Sequence, residues 1–292
     1  MSGLLVLDAG VLTTVQDRGR PGLAHLGVPR AGPLDAPAAA LANRLVGNPP
    51  DAALLEVTLG GLAVRADAGR WVAVTGAPAP VTVDGRARGS ARPEWLPAGA
   101  ELRLAAPPSG VRTYVAVAGG IEVEPVLGSR ATDTLAWVGP PRVSSGAVLP
   151  LGPAVGRPEP VDTPREPVPG PVRLLPGPRA DWCGPDPVGS LCAASYVVTD
   201  DSDRVGLRLD GPPLPRTREG ELPSEGMVLG AVQVPPDGRP VVFLADHPVT
   251  GGYPVVAVVH PDDLWVCGQL RPGDPLRFTR AGRPPARGGA TR

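Results

Sequence analysis

Thr13-Thr-Val-Gln-Asp-Arg-Gly-Arg-Pro-Gly22, Leu26-Gly-Val-Pro-Arg-Ala-Gly-Pro-Leu-Asp35, Ala42-Asn-Arg-Leu-Val-Gly-Asn48 and Leu54-Leu-Glu-Val-Thr58 follow one another in a single block near the start of the chain. A surface loop has no use for so many specified polar and glycine positions in such close order. The middle of the block predicts a helix over 36–46. Asp35 is placed to cap it, Pro37 is tolerated in its first turn, Leu41 and Leu45 share a face, and Gly47 supplies a left-handed stop. Residues 54–59 then read as a strand.

Outward from that block, strand-like alternation recurs at 4–7, 71–75, 81–84, 102–104, 114–118, 172–175, 196–199, 228–234, 241–245 and 255–259. Turn signals separate the runs: Asp84-Gly85, Pro108-Ser109-Gly110, Asp237-Gly238 and Pro272-Gly273-Asp274. Many short strands with tight turns favour barrels or sandwiches over alternating β–α units. A second, shorter helix is expected over 262–267. Residues 152–171 hold too much proline for a packed element and read as a linker. The expected organisation is a β subdomain at 1–151, the linker at 152–171, a second β subdomain at 172–279, and a frayed tail at 280–292. Leu96-Pro-Ala-Gly-Ala-Glu-Leu-Arg-Leu104 faintly echoes Leu270-Arg-Pro-Gly-Asp-Pro-Leu-Arg-Phe278.

The 39 glycines and 41 prolines make up more than a quarter of the 292 residues, but 42% hydrophobic content opposes disorder. A formal net charge of −1 offers no field for nucleic acid or an anionic membrane. All 28 basic residues are arginine. That excludes from this chain a Schiff-base lysine, a Walker A phosphate loop, a biotinylated lysine and an amidase of the Ser-Ser-Lys kind. Anions must be held by arginine forks, backbone amides or hydroxyls. Cys183, Cys192 and Cys267 form no Cys-x-x-Cys pair and read as reduced thiols. No window approaches a membrane span. A cytoplasmic protein is the expectation.

Two segments invite a chemical reading. In Gln16-Asp-Arg-Gly-Arg20 one carboxylate sits between two guanidiniums, so Arg18 or Arg20 can fork a substrate carboxylate while Asp17 orients one of them. An internal Asp–Arg bridge fixing a loop fits equally well. In Thr250-Gly-Gly-Tyr-Pro254, with Asp246 and His247 just ahead, Gly251 and Gly252 allow close approach of a ligand, and Tyr253 offers a hydroxyl on a rigid ring. A plain β-turn is the competing reading. Gln233 is an amide in an otherwise apolar strand and needs a partner. His25 is the lone imidazole of the first block. The histidines are scattered, so no metal ligand set is expected.

The first block, together with Ser202-Asp-Arg-Val-Gly-Leu-Arg-Leu209, Gly230-Ala-Val-Gln-Val-Pro-Pro-Asp-Gly238 and Thr250-Gly-Gly-Tyr-Pro254, resembles the allophanate hydrolase subunit 2 family. That family includes the C-type subunit of 5-oxoprolinase and the carboxyltransferase region of urea carboxylase. The match runs from about residue 4 to 278. It implies a mainly β fold of two cyclophilin-like β-barrel subdomains with few short helices, the N-terminal block contributing to both. It also implies a subunit of an ATP-dependent 5-oxoprolinase that opens 5-oxo-L-proline to L-glutamate. The partners would be a sister subunit of the allophanate hydrolase subunit 1 or 5-oxoprolinase B type and a further subunit of the 5-oxoprolinase A type, with ATP bound by the complex. Two alternatives stay open: a carboxyltransferase component of a biotin-dependent system, and a non-enzymatic regulator that binds a kinase-inhibitor-like sister subunit. Carried onto this sequence, the resemblance assigns Asp17, Arg18, Arg204 and Tyr253 to catalysis. It assigns Arg20, His25, Asp203, Arg208, Gln233, Asp246, Thr250, Gly251 and Gly252 to substrate binding. Departures occur at Val205 and Leu207 and at Ala131. The loop over 138–142 is the least family-like region.

Overall fold

Val-Thr-Val at 81–83 and Arg-Ala-Arg at 86–88 form the tightest unit of the fold, an antiparallel pair closed by Asp84 and Gly85. Both turn residues are left-handed, with φ of 47° and 74°, the backbone that a two-residue hairpin demands and that Asp-Gly supplies. The structure is a computed structural model that describes residues 2–159 and 170–282. Residues 160–169 of the expected linker, and the expected tail beyond 282, lie outside the described residues.

The fold is mainly β. In the N-terminal region a six-stranded sheet runs in the order Val148–Leu151, Ser2–Ala9, Leu62–Ala66, Glu101–Leu104, Val81–Val83, Arg86–Arg88. A five-stranded sheet runs Leu12–Gln16, Leu54–Thr58, Arg112–Val117, Arg70–Gly76, Pro93–Leu96. Leu4, Val6, Leu62 and Val64 of the first sheet share one core with Val15, Leu55, Val74 and Val115 of the second. The alternation along each strand therefore buries one face of each sheet against the other. In the C-terminal region seven strands close into a barrel: Val172–Pro176, Val255–Val259, Ala231–Gln233, Val241–Phe243, Gly206–Asp210, Ser195–Val198 and Pro275–Arg280. The first and last of these pair in parallel, Val172 with Phe278, and so leave the barrel no free edge.

The helices are short. Helix α1, Ala36–Leu45, starts as expected: the Asp35 carboxylate accepts from Ala38 N at 3.0 Å, and proline occupies the first turn. Helix α2, Pro187–Ala193, has the same Asp-Pro start, with Asp186 accepting from Gly189 N. Helix α3, Leu264–Gln269, lies slightly later than the sequence indicates.

The two halves share a buried seam. Leu34, from the N-terminal block, is buried in the core of the barrel half. Gly268 of α3 packs so closely on Leu34 that a Cβ there would stand 2.7 Å from the Leu34 carbonyl oxygen. The N-terminal block thus contributes to both cores. Arg271 secures the same seam, donating from Nε to Gly110 O at 2.6 Å and from Nη2 to Pro107 O at 2.5 Å.

Candidate functional site

Arg204 leaves the turn ahead of strand Gly206–Asp210 and points into the seam, where it is fully buried. Its Nε donates to Asp246 Oδ2 at 2.8 Å; its Nη2 donates to Asp246 Oδ1 at 3.0 Å and to Gly32 O at 2.8 Å. Its Nη1 donates to Glu56 Oε1 on the opposite half. The second Glu56 oxygen accepts from Leu34 N at 3.0 Å and from the Tyr114 hydroxyl at 2.9 Å; that hydroxyl accepts from Asp35 N at 2.7 Å. Asp246 Oδ2 also accepts from Thr134 N and Oγ1, at 2.9 and 2.7 Å. Arg112 lies 3.5 Å from Glu56 and donates to Gly268 O at 2.6 Å. Two carboxylates and two guanidiniums are thus buried together with nearly every polar atom engaged, which is the condition under which buried charge is tolerated.

Electrostatics follow from this packing. Burial opposes the Arg204 charge, but Asp246 and Glu56 outweigh it and hold the guanidinium above its ordinary value. Burial lowers Arg112, with Glu56 acting against the shift. Burial pushes the Tyr114 phenol well up and raises the Asp35 carboxyl.

A cleft of about 250 Å³ opens at the edge of the seam. Its walls are Asp17 and Arg18, Arg30 to Pro33, the alanine face of α1 and the Pro50–Ala52 turn, with Leu229 and Ala245 from the barrel half. Gln16 fixes the near wall: its Nε2 donates to Thr132 O at 2.9 Å and its Oε1 accepts from Gly32 N at 3.2 Å. Gly32 therefore joins the cleft directly to Arg204. Arg18 is mostly exposed and meets Asp51 only at 3.7 Å, so its fork is available to a ligand. Arg30 is exposed on the same rim. The chamber suits a small, anionic molecule, below the roughly 300–1,000 Å³ of pockets that take drug-sized ligands.

The thirteen residues singled out from sequence fall into five places. Asp17 and Arg18 line the cleft, though the Asp17 carboxylate is itself held by Gly19 N, Ser129 Oγ and Arg130 N. Arg204 and Asp246 form the seam network behind it. Gln233, Thr250, Gly251, Gly252 and Tyr253 gather at one side of the barrel, where Thr250–Gly251 pairs with Glu225–Gly226 as a small strap and Gln233 Nε2 donates to Tyr253 O at 3.1 Å. His25, Asp203 and Arg208 lie on the exterior. His25 Nδ1 is 3.0 Å from Gly22 O, Asp203 closes a turn onto Val205 and Gly206, and Arg208 is exposed on its strand. Arg20 stands apart. It is buried and donates to Val126 O at 2.9 Å and Ala131 O at 2.5 Å, bracing the 126–131 loop.

Sequence reasoning passed over Arg30, Asp51, Glu56, Arg112 and Tyr114. Glu56 carried a legible signal, a lone charge in the strand Leu-Leu-Glu-Val-Thr, and all six residues of the Arg112–Val117 strand are buried. Among the described residues no group of three His, Cys, Asp or Glu side chains is placed to hold a metal ion. Among them, too, no helix is long and apolar enough to cross a membrane.

A two-sheet β unit and a closed β-barrel, joined by a buried ionic seam with a small arginine-rimmed cleft at its edge, define a tandem β-subdomain protein. Residues 26–280 match the model for the carboxyltransferase domain, subdomains A and B, and the chain belongs to that family. It is 37% identical to the C subunit of 5-oxoprolinase from Escherichia coli (strain K12), over 95% of this chain and 91% of that protein. Urea amidolyase of Saccharomyces cerevisiae is 32% identical over 92% of this chain, which spans 16% of that protein. Among solved structures, TTHA0988 aligns with a TM-score of 0.87 and 41% identity over 96% of this chain and 55% of its own. The Kluyveromyces lactis urea amidolyase aligns with a TM-score of 0.88 and 29% identity, over 96% of this chain and 19% of its own. The chain therefore spans about half of one matched structure and less than a fifth of the other.

Proposed function

We propose that this chain is a subunit of an ATP-dependent 5-oxoprolinase complex that hydrolyses 5-oxo-L-proline to L-glutamate. The observation that carries this reading is the match to the C subunit of E. coli 5-oxoprolinase, which extends over 91% of that protein as a counterpart of nearly equal length. The seam-edge cleft supports it. Arg18 and Arg30 offer guanidiniums on its rim to a small carboxylate. A lactam carbonyl is a weak electrophile, so the ring opening is coupled to ATP hydrolysis in the complex. The partners in this reading are 5-oxoprolinase chains of the B and A types, and the compartment is the cytoplasm.

The test is 5-oxoproline-dependent ATP hydrolysis and glutamate release with all three purified components, each omitted in turn. Activity that needs every component supports the reading; a silent complete mixture sinks it. A carboxyltransferase role is the second reading, favoured by the family model and by the urea amidolyase matches. With no lysine here, carboxybiotin must arrive on another chain. Capture of a biotinylated partner from the source cell would move that reading ahead.

A further inference from the structure

Arg216 is an unexplained cation among the described residues of the barrel half. It sits in the segment that crosses from strand Gly206–Asp210 to the strap, and it is half-buried. Its guanidinium carbon lies 5.7 Å from the ring centroid of Trp182 and 5.7 Å from that of Tyr253, over both rings. Its Nε is buried and has no hydrogen-bond partner among the described residues. No carboxylate of the described residues lies within ion-pair distance of it, whereas the neighbouring arginines are taken: Arg179 by Glu225 and Arg218 by Asp181. Glu219 and Glu221 belong to the same segment but are exposed and unpaired with it.

The surroundings fix this arginine in place. Thr217, the next residue, is tied to Trp182: its N and Oγ1 donate to Trp182 O at 2.8 and 3.2 Å, and its Oγ1 accepts from Gly184 N at 3.1 Å. On the other side, Tyr253 is anchored through its carbonyl by Gln233 and leaves about half of its surface exposed. Burial raises the Cys183 thiol, and the nearby Arg216 charge acts against that shift. Aromatic rings stabilise a guanidinium through its face and leave its N–H edge to donate. With Nε buried, the two terminal nitrogens Nη1 and Nη2 are the pair that matches a carboxylate in two parallel hydrogen bonds.

We propose that Arg216, held against Trp182 and Tyr253, is a binding site for the carboxylate of a small molecule, separate from the cleft at Arg18. Charge decides between anions. One unpaired guanidinium balances a monoanionic carboxylate, whereas a phosphate dianion needs a second free cation, and both neighbouring arginines are already neutralised. The site does not depend on the oxoprolinase reading.

Trp182 provides a local reporter. Its indole N–H resonance, identified among the five tryptophans with W182F, is followed in the full-length chain during titration with acetate, L-glutamate and 5-oxo-L-proline. 5-Oxo-L-prolinamide and inorganic phosphate serve as controls. The expected result is a saturable shift with at least one carboxylate, none with the amide, and a roughly tenfold or greater loss of affinity in Arg216→Gln but not in Arg18→Gln. The proposal is overturned if no carboxylate moves the resonance, if the amide or phosphate binds as well, or if Arg216→Gln binds like the parent. Glutamate production by the reconstituted complex is scored separately. A complex that turns over while the Trp182 signal stays silent removes this site and leaves the enzymatic reading standing.

Discussion

Gln269 Nε2 stands 2.9 Å from Asp35 Oδ2, so the last residue of α3 in the barrel half holds the capping residue of α1 in the other half. The same side chain accepts from Val111 N and Arg112 N at 3.0 and 2.9 Å and donates to Arg112 O at 2.9 Å. One amide thus saturates four polar groups at the junction. Gln269→Ala strands them, and the expected cost is about 3 kcal/mol in chemical denaturation. A loss below about 1 kcal/mol would mean that water replaces the amide and that the junction is looser than described.

Arg204→Met removes the charge that Glu56 and Asp246 share in a fully buried setting. Breaking a buried ionic cluster on one side costs about 3–5 kcal/mol, because the carboxylates left behind have no solvent. The variant should unfold at much lower denaturant. A loss below about 1 kcal/mol would refute the reading of Arg204 as the charge that balances this buried cluster.

Arg18 and Arg20 are two residues apart and should fail differently. Arg18→Gln is expected to lower kcat/KM of the reconstituted complex by roughly tenfold or more while leaving the unfolding midpoint in place, because its ion pair with Asp51 is long and exposed. Arg20→Gln is expected to cost about 2 kcal/mol of stability, because the carbonyls of Val126 and Ala131 lose their buried donor. Equal effects on both readouts in both variants would refute the division of roles.

Burial lowers the His247 pKa, against an Nδ1 contact with Pro248 O at 2.8 Å that raises it. The unfolded chain then takes up a proton below the ordinary value of 6.5 that the folded chain refuses. Stability contributed by the neutral ring is present above 6.5 and is lost as pH falls toward the depressed value. Denaturation midpoints at about pH 7.5 and about pH 5.5 should diverge more for the parent than for His247→Gln. An identical pH response in the two proteins would exclude His247 as the source.

Thiol labelling should resolve the three cysteines. Burial pushes the Cys267 thiol up to about 12, and the residue has no exposed surface. Cys192 is only half-buried. At about pH 8 Cys192 should modify first and Cys267 only on unfolding. Early labelling of Cys267, read by peptide mass, would contradict the packing of α3.

Much of the fold could be read from local pattern. Asp35, Pro37 and the alternating strands act within a few residues of themselves, so the start of α1 and the mainly β class were legible. Helix α2 was not, because seven residues hold too little apolar periodicity for its Asp186-Pro187 start to stand out. The seam was illegible for a different reason. Glu56 and Arg204 meet across 148 positions of sequence, and no spacing rule links them. Arg18 and Arg20 look equivalent on paper, and only the 126–131 loop, more than a hundred residues away, decides which is sequestered.

Each half is bounded by a pairing between strands near its two extremes: Ser2–Ala9 with Val148–Leu151, and Val172–Pro176 with Pro275–Arg280. During synthesis neither half can finish its sheet until its last strand has left the ribosome. Such far-apart pairings slow folding and lengthen the time that Val-rich edges wait unpaired. A nascent chain stalled before Pro275 would carry the barrel open along Val172–Pro176, a stretch that chaperones rather than neighbours would have to cover.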